Sequence, residues 1–281
     1  MFVPCVGPGA PAPDFTGLTL LLPAVSVGNV GQLATDLIIS TLNMPKVGYF
    51  YTDCLVPMVG NNPYATTENN SAELSINAEV YSLPSKNLIV LQIRSPFIKY
   101  KSRSFCEALL SWVKSSKCTR VLVLSSSHAY RRDDQQLQGT PFRYLFTPEL
   151  QKNIGNQIQY LNWKEMEETL SFPEMQDSDM CIQIPGGGIT KLLYKLSCSE
   201  GIQMAILLKF CSEGDNIPDA IDLANYLNEW LQVLKTPGKN SCLLLKFLLE
   251  PKLCFWEAKE IQFGFEILRK NVIYGKQLEK K

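Results

Sequence analysis

Leu18-Thr19-Leu20-Leu21-Leu22, followed by the loop 23–31, the segment 32–42 and then Val47-Gly48-Tyr49-Phe50-Tyr51, decides the fold. The first run is short and apolar, the pattern of a strand buried on both faces. Residues 32–42 place Leu33, Leu37, Ile38 and Thr41 on one helical face, and Asn43 is a fitting stop. Strand, helix and strand within about 35 residues is the size of a parallel crossover unit.

Working outward, residues 53–71 read as a long loop, the kind of connection that is usually functional or mobile. Leu74, Ile76, Ala78 and Val80 then alternate with polar neighbours. Pro84-Ser85-Lys86-Asn87 turns the chain into 88–93, so residues 73–94 read as an antiparallel hairpin. Phe105, Leu109, Trp112 and Val113 share a face of a helix over 104–115. Val121-Leu122-Val123-Leu124 is the next buried strand and ends in Ser125-Ser126-Ser127-His128. Over 129–178 the pattern is poor: 151–168 looks helical with a break near Asn162, and the rest reads as turns. Beyond it come a strand over 181–184, a helix over 189–197, a strand over 203–210 and a helix over 219–234 with Asp215 and Asn216 as candidate caps. The expectation is an α/β fold with a largely parallel central sheet flanked by helices and an antiparallel hairpin insertion. Residues 1–235 read as one domain and 236–281 as an atypical C-terminal tail of hydrophobic blocks broken by lysines.

The chain has 281 residues, 46% hydrophobic and 19% charged, ordinary for a folded protein with a sizeable core. Lys+Arg at 27 balances Asp+Glu at 27, and no basic stripe stands out, which argues against nucleic acid as a partner. The nine cysteines contain no Cys-x-x-Cys pair, and several sit in apolar runs, so they read as reduced, buried thiols. The N-terminus lacks the basic and apolar regions of a secretory signal. The longest apolar stretches, 18–27 and 243–249, fall short of the roughly 20 residues that span a bilayer. A cytoplasmic and nuclear protein, without a membrane partner, is the expectation.

Residues that would carry chemistry are few. Ser26-Val27-Gly28-Asn29-Val30-Gly31 opens a helix after a strand, where glycines allow backbone amides to cradle an anion. Ser26 stands where a dinucleotide fingerprint needs its first glycine, and no Walker lysine follows. Gly28 and Gly31 therefore read as structural turns that allow close packing. Gly186-Gly187-Gly188 would form an oxyanion nest, but a nest alone performs no reaction. The single histidine, His128, has no Gly-x-Ser-x-Gly elbow to serve and cannot form a multi-histidine metal site. Asp133-Asp134 read as a solvated turn, and Glu165, Glu167 and Glu168 as a helix surface. Thr140-Pro141 is a candidate proline-directed phosphorylation site. The expectation is a protein without catalysis or cofactor that binds other proteins. The alternative is a small-molecule enzyme with a phosphorylase-like sheet, holding an anionic or phosphorylated ligand at its glycine turns.

Several stretches carry a resemblance. They are Pro23-Ala24-Val25-Ser26-Val27-Gly28-Asn29-Val30-Gly31-Gln32-Leu33-Ala34, Gly48-Tyr49-Phe50-Tyr51-Thr52-Asp53 and Pro57-Met58-Val59-Gly60-Asn61-Asn62-Pro63-Tyr64. To these add Leu124-Ser125-Ser126-Ser127-His128, Ile184-Pro185-Gly186-Gly187-Gly188-Ile189-Thr190-Lys191 and Ser212-Glu213-Gly214-Asp215-Asn216-Ile217-Pro218-Asp219. In this order, from about residue 14 to 235, the chain resembles the proteasome assembly chaperone family. The resemblance implies a nucleoside-phosphorylase-like three-layer α/β domain without known catalysis. It also implies an obligate heterodimer with proteasome assembly chaperone 1 that binds proteasome α subunits, promotes the α ring and prevents off-pathway ring dimers. On that reading the loop 53–71 is a contact surface, and Tyr64, an exposed aromatic flanked by Pro63 and polar residues, is its candidate partner contact. The ending Leu278-Glu279-Lys280-Lys281 departs from the hydrophobic–tyrosine ending with which family pairs dock between α subunits.

Overall fold

A computed structural model of the chain describes residues 1–5, 12–65, 72–154, 158–167 and 182–234. The tail 236–281 lies outside the described residues. Among the described residues ten strands run in the order β1 (Phe2–Pro4), β2 (Thr19–Pro23), β3 (Lys46–Phe50), β4 (Val59–Asn61), β5 (Leu74–Ile76), β6 (Ala78–Leu83), β7 (Leu88–Ile93), β8 (Arg120–His128), β9 (Phe142–Phe146) and β10 (Met204–Cys211). Between and after them lie α1 (Val30–Thr41), α2 (Ser102–Ser115), α3 (Asp134–Leu137), α4 (Pro148–Ile154), α5 (Thr190–Ser199) and α6 (Ile217–Leu231). None of the described helices is long and apolar enough to cross a membrane.

The apolar runs become central strands because each must cover two faces. Along β2, Leu20 and Leu22 enter one core while Leu21 enters the other. On β8, Val121 and Val123 join the first core, and Leu122 and Leu124 the second. Helices α2 and α5 cover the first face through Phe105, Leu109 and Leu193. Helices α1 and α6 cover the other through Leu37, Ile38, Leu223 and Leu227. The result is three layers around one eight-stranded sheet, ordered β1-β3-β6-β7-β2-β8-β10-β9. Strands β7, β2, β8 and β10 are parallel neighbours, and the remaining pairs are antiparallel.

The crossover expected from 18–51 is present, with one correction. β2 and β3 do run the same way, but they are not neighbours, because the hairpin β6–β7 lies between them. Asn87 closes that hairpin in the left-handed conformation, and all six residues of β7 are buried, so β7 needs a strand on both edges. Other differences follow from backbone hydrogen bonding. The strand expected over 74–81 breaks at Asn77, so β5 pairs with β4 in a separate ribbon. No strand forms over 182–184, and Cys181 is outside the described residues. The place beside β8 is filled instead by β10, in register from Met204↔Val121 to Cys211↔His128. Of the helix expected over 151–168, α4 forms the part up to Ile154; residues 155–157 and Glu168 lie outside the described residues, and 158–167 are not α-helical. Residues near Glu165 run alongside β9, where the Tyr144 amide donates to the Lys164 carbonyl at 3.1 Å and the Met166 amide to the Tyr144 carbonyl at 2.9 Å. That lining protects an edge otherwise open to pairing. Burial pushes the Cys106 thiol up to about 12 and the Cys211 thiol up to about 11, as expected of thiols used as small apolar side chains.

Candidate functional site at the carboxyl end of the sheet

Glycine-bearing loops follow the carboxyl ends of the parallel strands, the place where α/β sheets most often bind ligands. Here the loops are closed on one another. The Ser26 and Ser126 hydroxyls lie 2.7 Å apart, and the Ser126 amide donates to Ser26 Oγ at 2.9 Å. Ser127 Oγ donates to the Pro185 carbonyl at 2.9 Å, and the Ser125 and Thr190 hydroxyls are 2.6 Å apart. The Val27 amide donates to the Gly186 carbonyl, that of Gly187 to Ile184, and that of Ile189 to Ala24. These amides are spent within the protein, so an anion would have to break existing hydrogen bonds to use them.

The glycines mark close approach. A Cβ on Gly31 would lie 2.4 Å from the Leu124 carbonyl oxygen, and one on Gly188 2.3 Å from that of Val25. At Gly28 it would meet Asn216 Oδ1 at 2.7 Å, at Gly186 the His128 ring at 2.7 Å, and at Gly187 the Ile184 side chain at 2.3 Å. Asn216 fills space over Gly28 while its amide donates to the Ser212 carbonyl. The α6 terminus is capped instead by Asp215, whose carboxylate accepts from the Ile217 amide at 3.1 Å. His128 lies beside Tyr130, ring centroids 4.9 Å apart, and no described serine hydroxyl bonds to its ring. Among the described residues no group of three or more His, Cys, Asp or Glu is placed to hold a metal ion.

Tyr64 corrects the reading of an aromatic offered to solvent. Its ring is half-buried, edge-on to Tyr81 at 5.6 Å, and its hydroxyl reaches inside. There it donates to Asp36 of α1 and accepts from Arg94 Nη2 at 2.8 Å. Arg94 grips Asp36 through both terminal nitrogens, at 3.1 and 2.9 Å, and Gln92 Nε2 adds a bond to the same carboxylate at 2.6 Å. Glu79, on β6, accepts from Ser75 at 2.7 Å and Tyr81 at 2.9 Å, with Lys46 at 3.3 Å. Burial, despite the pull of Arg94, pushes the Tyr64 hydroxyl well above its ordinary value and keeps it a donor. Burial alone would lower the Arg94 value, yet Asp36 and the two tyrosines hold it well above normal. The network pins the 53–65 segment and β5 to the sheet. Its members are scattered over five stretches of sequence, and no local pattern joins them.

Two other predicted sites fall on the 129–167 stretch. Thr140 is exposed between α3 and β9, and its carbonyl accepts from Arg143 Nη1 at 2.8 Å. Arg143 itself is fully buried and meets Glu167 at 2.9 and 3.0 Å, so Glu167 is a partner for β9 and not part of a helix surface. The aromatic alternation Phe142-Arg143-Tyr144-Leu145-Phe146 is the signal that could have revealed this strand.

Most of the exposed large apolar side chains among the described residues gather around the closed loops. Met1, Tyr51, Val59, Leu74, Tyr100 and Tyr130 are exposed, and each lies at or just beyond the carboxyl end of the parallel strands. Leu137, on α3 after β8, adds to them. Of the exposed large apolar side chains among the described residues, only Val3 and Tyr160 lie elsewhere.

The family model described as the PAC2 family matches residues 20–233. Proteasome assembly chaperone 2 of Homo sapiens is 73% identical over 235 residues, covering 84% of this chain and 88% of that protein. Proteasome assembly chaperone 2 of Nematostella vectensis is 41% identical over 237 residues, covering 83% and 96%. Among solved structures, PbaA of Pyrococcus furiosus, an archaeal homolog of proteasome-assembly chaperone, superposes with a TM-score of 0.56 at 17% identity, covering 86% of this chain and 92% of that one. This last likeness concerns the fold. A match across most of the chain, at such identity to the human and cnidarian relatives, means that the chain belongs to the PAC2 family, alongside the proteasome assembly chaperones.

Proposed function

We infer that this chain is a proteasome assembly chaperone that works without catalysis. It pairs with proteasome assembly chaperone 1, and the pair binds α subunits, promotes the α ring and keeps rings from dimerising off-pathway. The observation that carries this reading is the 73% identity to a relative named for that role. The spent amides and occupied glycine contacts favour it over a ligand-binding enzyme. Tyr64 serves contact indirectly on this reading, by holding its loop in place, and Thr140 is exposed where a proline-directed kinase would act. The protein acts in the cytoplasm and nucleus, where proteasomes are built, and the domain ends near residue 235.

The test is native mass spectrometry of the chain expressed with and without proteasome assembly chaperone 1, then mixed with purified α subunits. A one-to-one pair that captures α subunits is expected. A stable lone monomer that captures none, and carries a phosphorylated metabolite, would overturn the reading.

A further inference from the structure

We propose that the tyrosine-bearing carboxyl end of the sheet, centred on Tyr51, Tyr100 and Tyr130, is the surface that engages a proteasome α subunit through an acidic segment of that subunit. The proposal rests on the chaperone reading above.

Tyr51 and Tyr130 lie within two residues of the ends of β3 and β8, and Tyr100 follows β7 on a segment that pairs with 54–56 through the Leu55↔Phe97 bridge, all at one end of the sheet. Their exposures are 74%, 87% and 72%. Tyrosine offers a large, stiff contact area with a polar tip, and so dominates many recognition surfaces. Two of the rings are pre-set by cations. Lys99 Nζ lies 4.9 Å from the Tyr100 ring centre, and the Arg131 guanidinium 5.5 Å from that of Tyr130. Tyr100 is held at φ +66, a left-handed conformation unfavourable to a residue with a Cβ, which marks a position fixed by its surroundings.

Charge points to the kind of partner. Neither Lys99 nor Arg131 has a carboxylate partner among the described residues, and of the acids on the same loops Asp53 and Asp133 are engaged while Asp134 is exposed in the first turn of α3. Asp53 pairs with Lys101, Asp133 caps α3, Asp215 caps α6, and Asp222 meets Lys209 at 2.7 Å. An incoming carboxylate would therefore find two cations already placed against aromatic rings. The row is aromatic and cationic and set on separate loops. An obligate partner usually buries a more continuous aliphatic face, so this surface suits an α subunit better than the paired chaperone.

The chain paired with proteasome assembly chaperone 1 is titrated with purified α subunits, comparing wild type with Tyr51→Ser/Tyr100→Ser/Tyr130→Ser and with Lys99→Glu/Arg131→Glu. The triple variant is expected to weaken α-subunit binding at least tenfold without disturbing the pair. The charge-reversed variant should weaken it severalfold and flatten its salt dependence. Unchanged α-subunit affinity in both variants overturns the surface while leaving the chaperone reading intact. Loss of pairing with α-subunit binding retained assigns the row to the wrong partner and overturns the proposal. A wild-type pair that binds no α subunit fails the chaperone reading itself.

Discussion

The two ends of the central sheet are built from the same strands and treated in opposite ways. At the amino end the turns are short and polar and sealed by threonine hydroxyls bonded to backbone carbonyls. Thr119 Oγ1 donates to the Gly17 carbonyl at 2.8 Å, and Thr147 Oγ1 to that of Ile202 at 2.8 Å. Glycines there supply conformation: Gly17 and Gly201 have φ of +79 and +65, and a Cβ on either would meet nothing within 4 Å. At the carboxyl end Gly31 supplies space at ordinary dihedrals, with Leu124 pressed against it, and Gly188 supplies both space and conformation. Buried salt bridges and serine staples lock the interior of this end, while its surface keeps exposed tyrosines. A rigid interior under exposed aromatics is what a docking face needs, since little order remains to be imposed on binding.

The contrast can be broken experimentally, beginning with the largest effect. Arg94→Ala would strand the Asp36 carboxylate beneath α1 and is expected to cost about 3–5 kcal/mol, read from urea denaturation. A loss below about 1 kcal/mol would mean the network does not hold the carboxyl end. Gly31→Ala should cost about 2–3 kcal/mol through the clash, and Gly17→Ala only about 1 kcal/mol through its dihedral. Equal costs for the two would erase the distinction between glycines for space and glycines for conformation.

A smaller effect lies at the β9 edge. Burial raises the Glu167 carboxyl, but hydrogen bonds from its own backbone amide, Arg143 and Lys164 outweigh this and hold it below its ordinary value. A depressed folded value contributes stability above the ordinary carboxylate range, and that stability is lost as pH falls through the lower folded value. Wild type should therefore lose stability on acidification from about pH 4.5 downward, with a shallower loss in Glu167→Gln. Identical pH profiles would show that the pair is not energetically linked. Smallest of all, Tyr130→Ser should shift folding by less than about 0.5 kcal/mol, since its side chain is solvated. A thermal midpoint well below wild type would place that ring in the structure's support and not on its docking surface.

Much of the fold was legible because burial on two faces leaves an unmistakable trace. The runs at 18–22, 88–93, 121–124 and 203–210 became β2, β7, β8 and β10, and the helical faces at 32–42, 104–115, 189–197 and 219–234 became α1, α2, α5 and α6. Sheet order was not legible, because hydropathy reports how a strand is covered and not which strand lies beside it. That is why the hairpin's insertion between β2 and β3 came as a difference. Tyr64 misled for a similar reason. A loop aromatic among polar neighbours reads as exposed, and only the chain's return through Asp36 and Arg94 gives its hydroxyl a buried partner. The row of tyrosines was invisible, since residues 51, 100 and 130 are distant in sequence and meet at one end only because their strands are parallel.

The sequence by itself determined the layered α/β architecture, the sparseness of catalytic side chains and the resemblance to a chaperone family, because periodicity, composition and motif order are local properties. Tertiary structure alone decided that the glycine turns are filled by Asn216, His128 and the Leu124 carbonyl, that Arg143 and Arg94 are buried, and that the exposed aromatics share one end. Each of these depends on contacts between residues far apart in the chain, and such contacts exist only once the backbone has closed on itself.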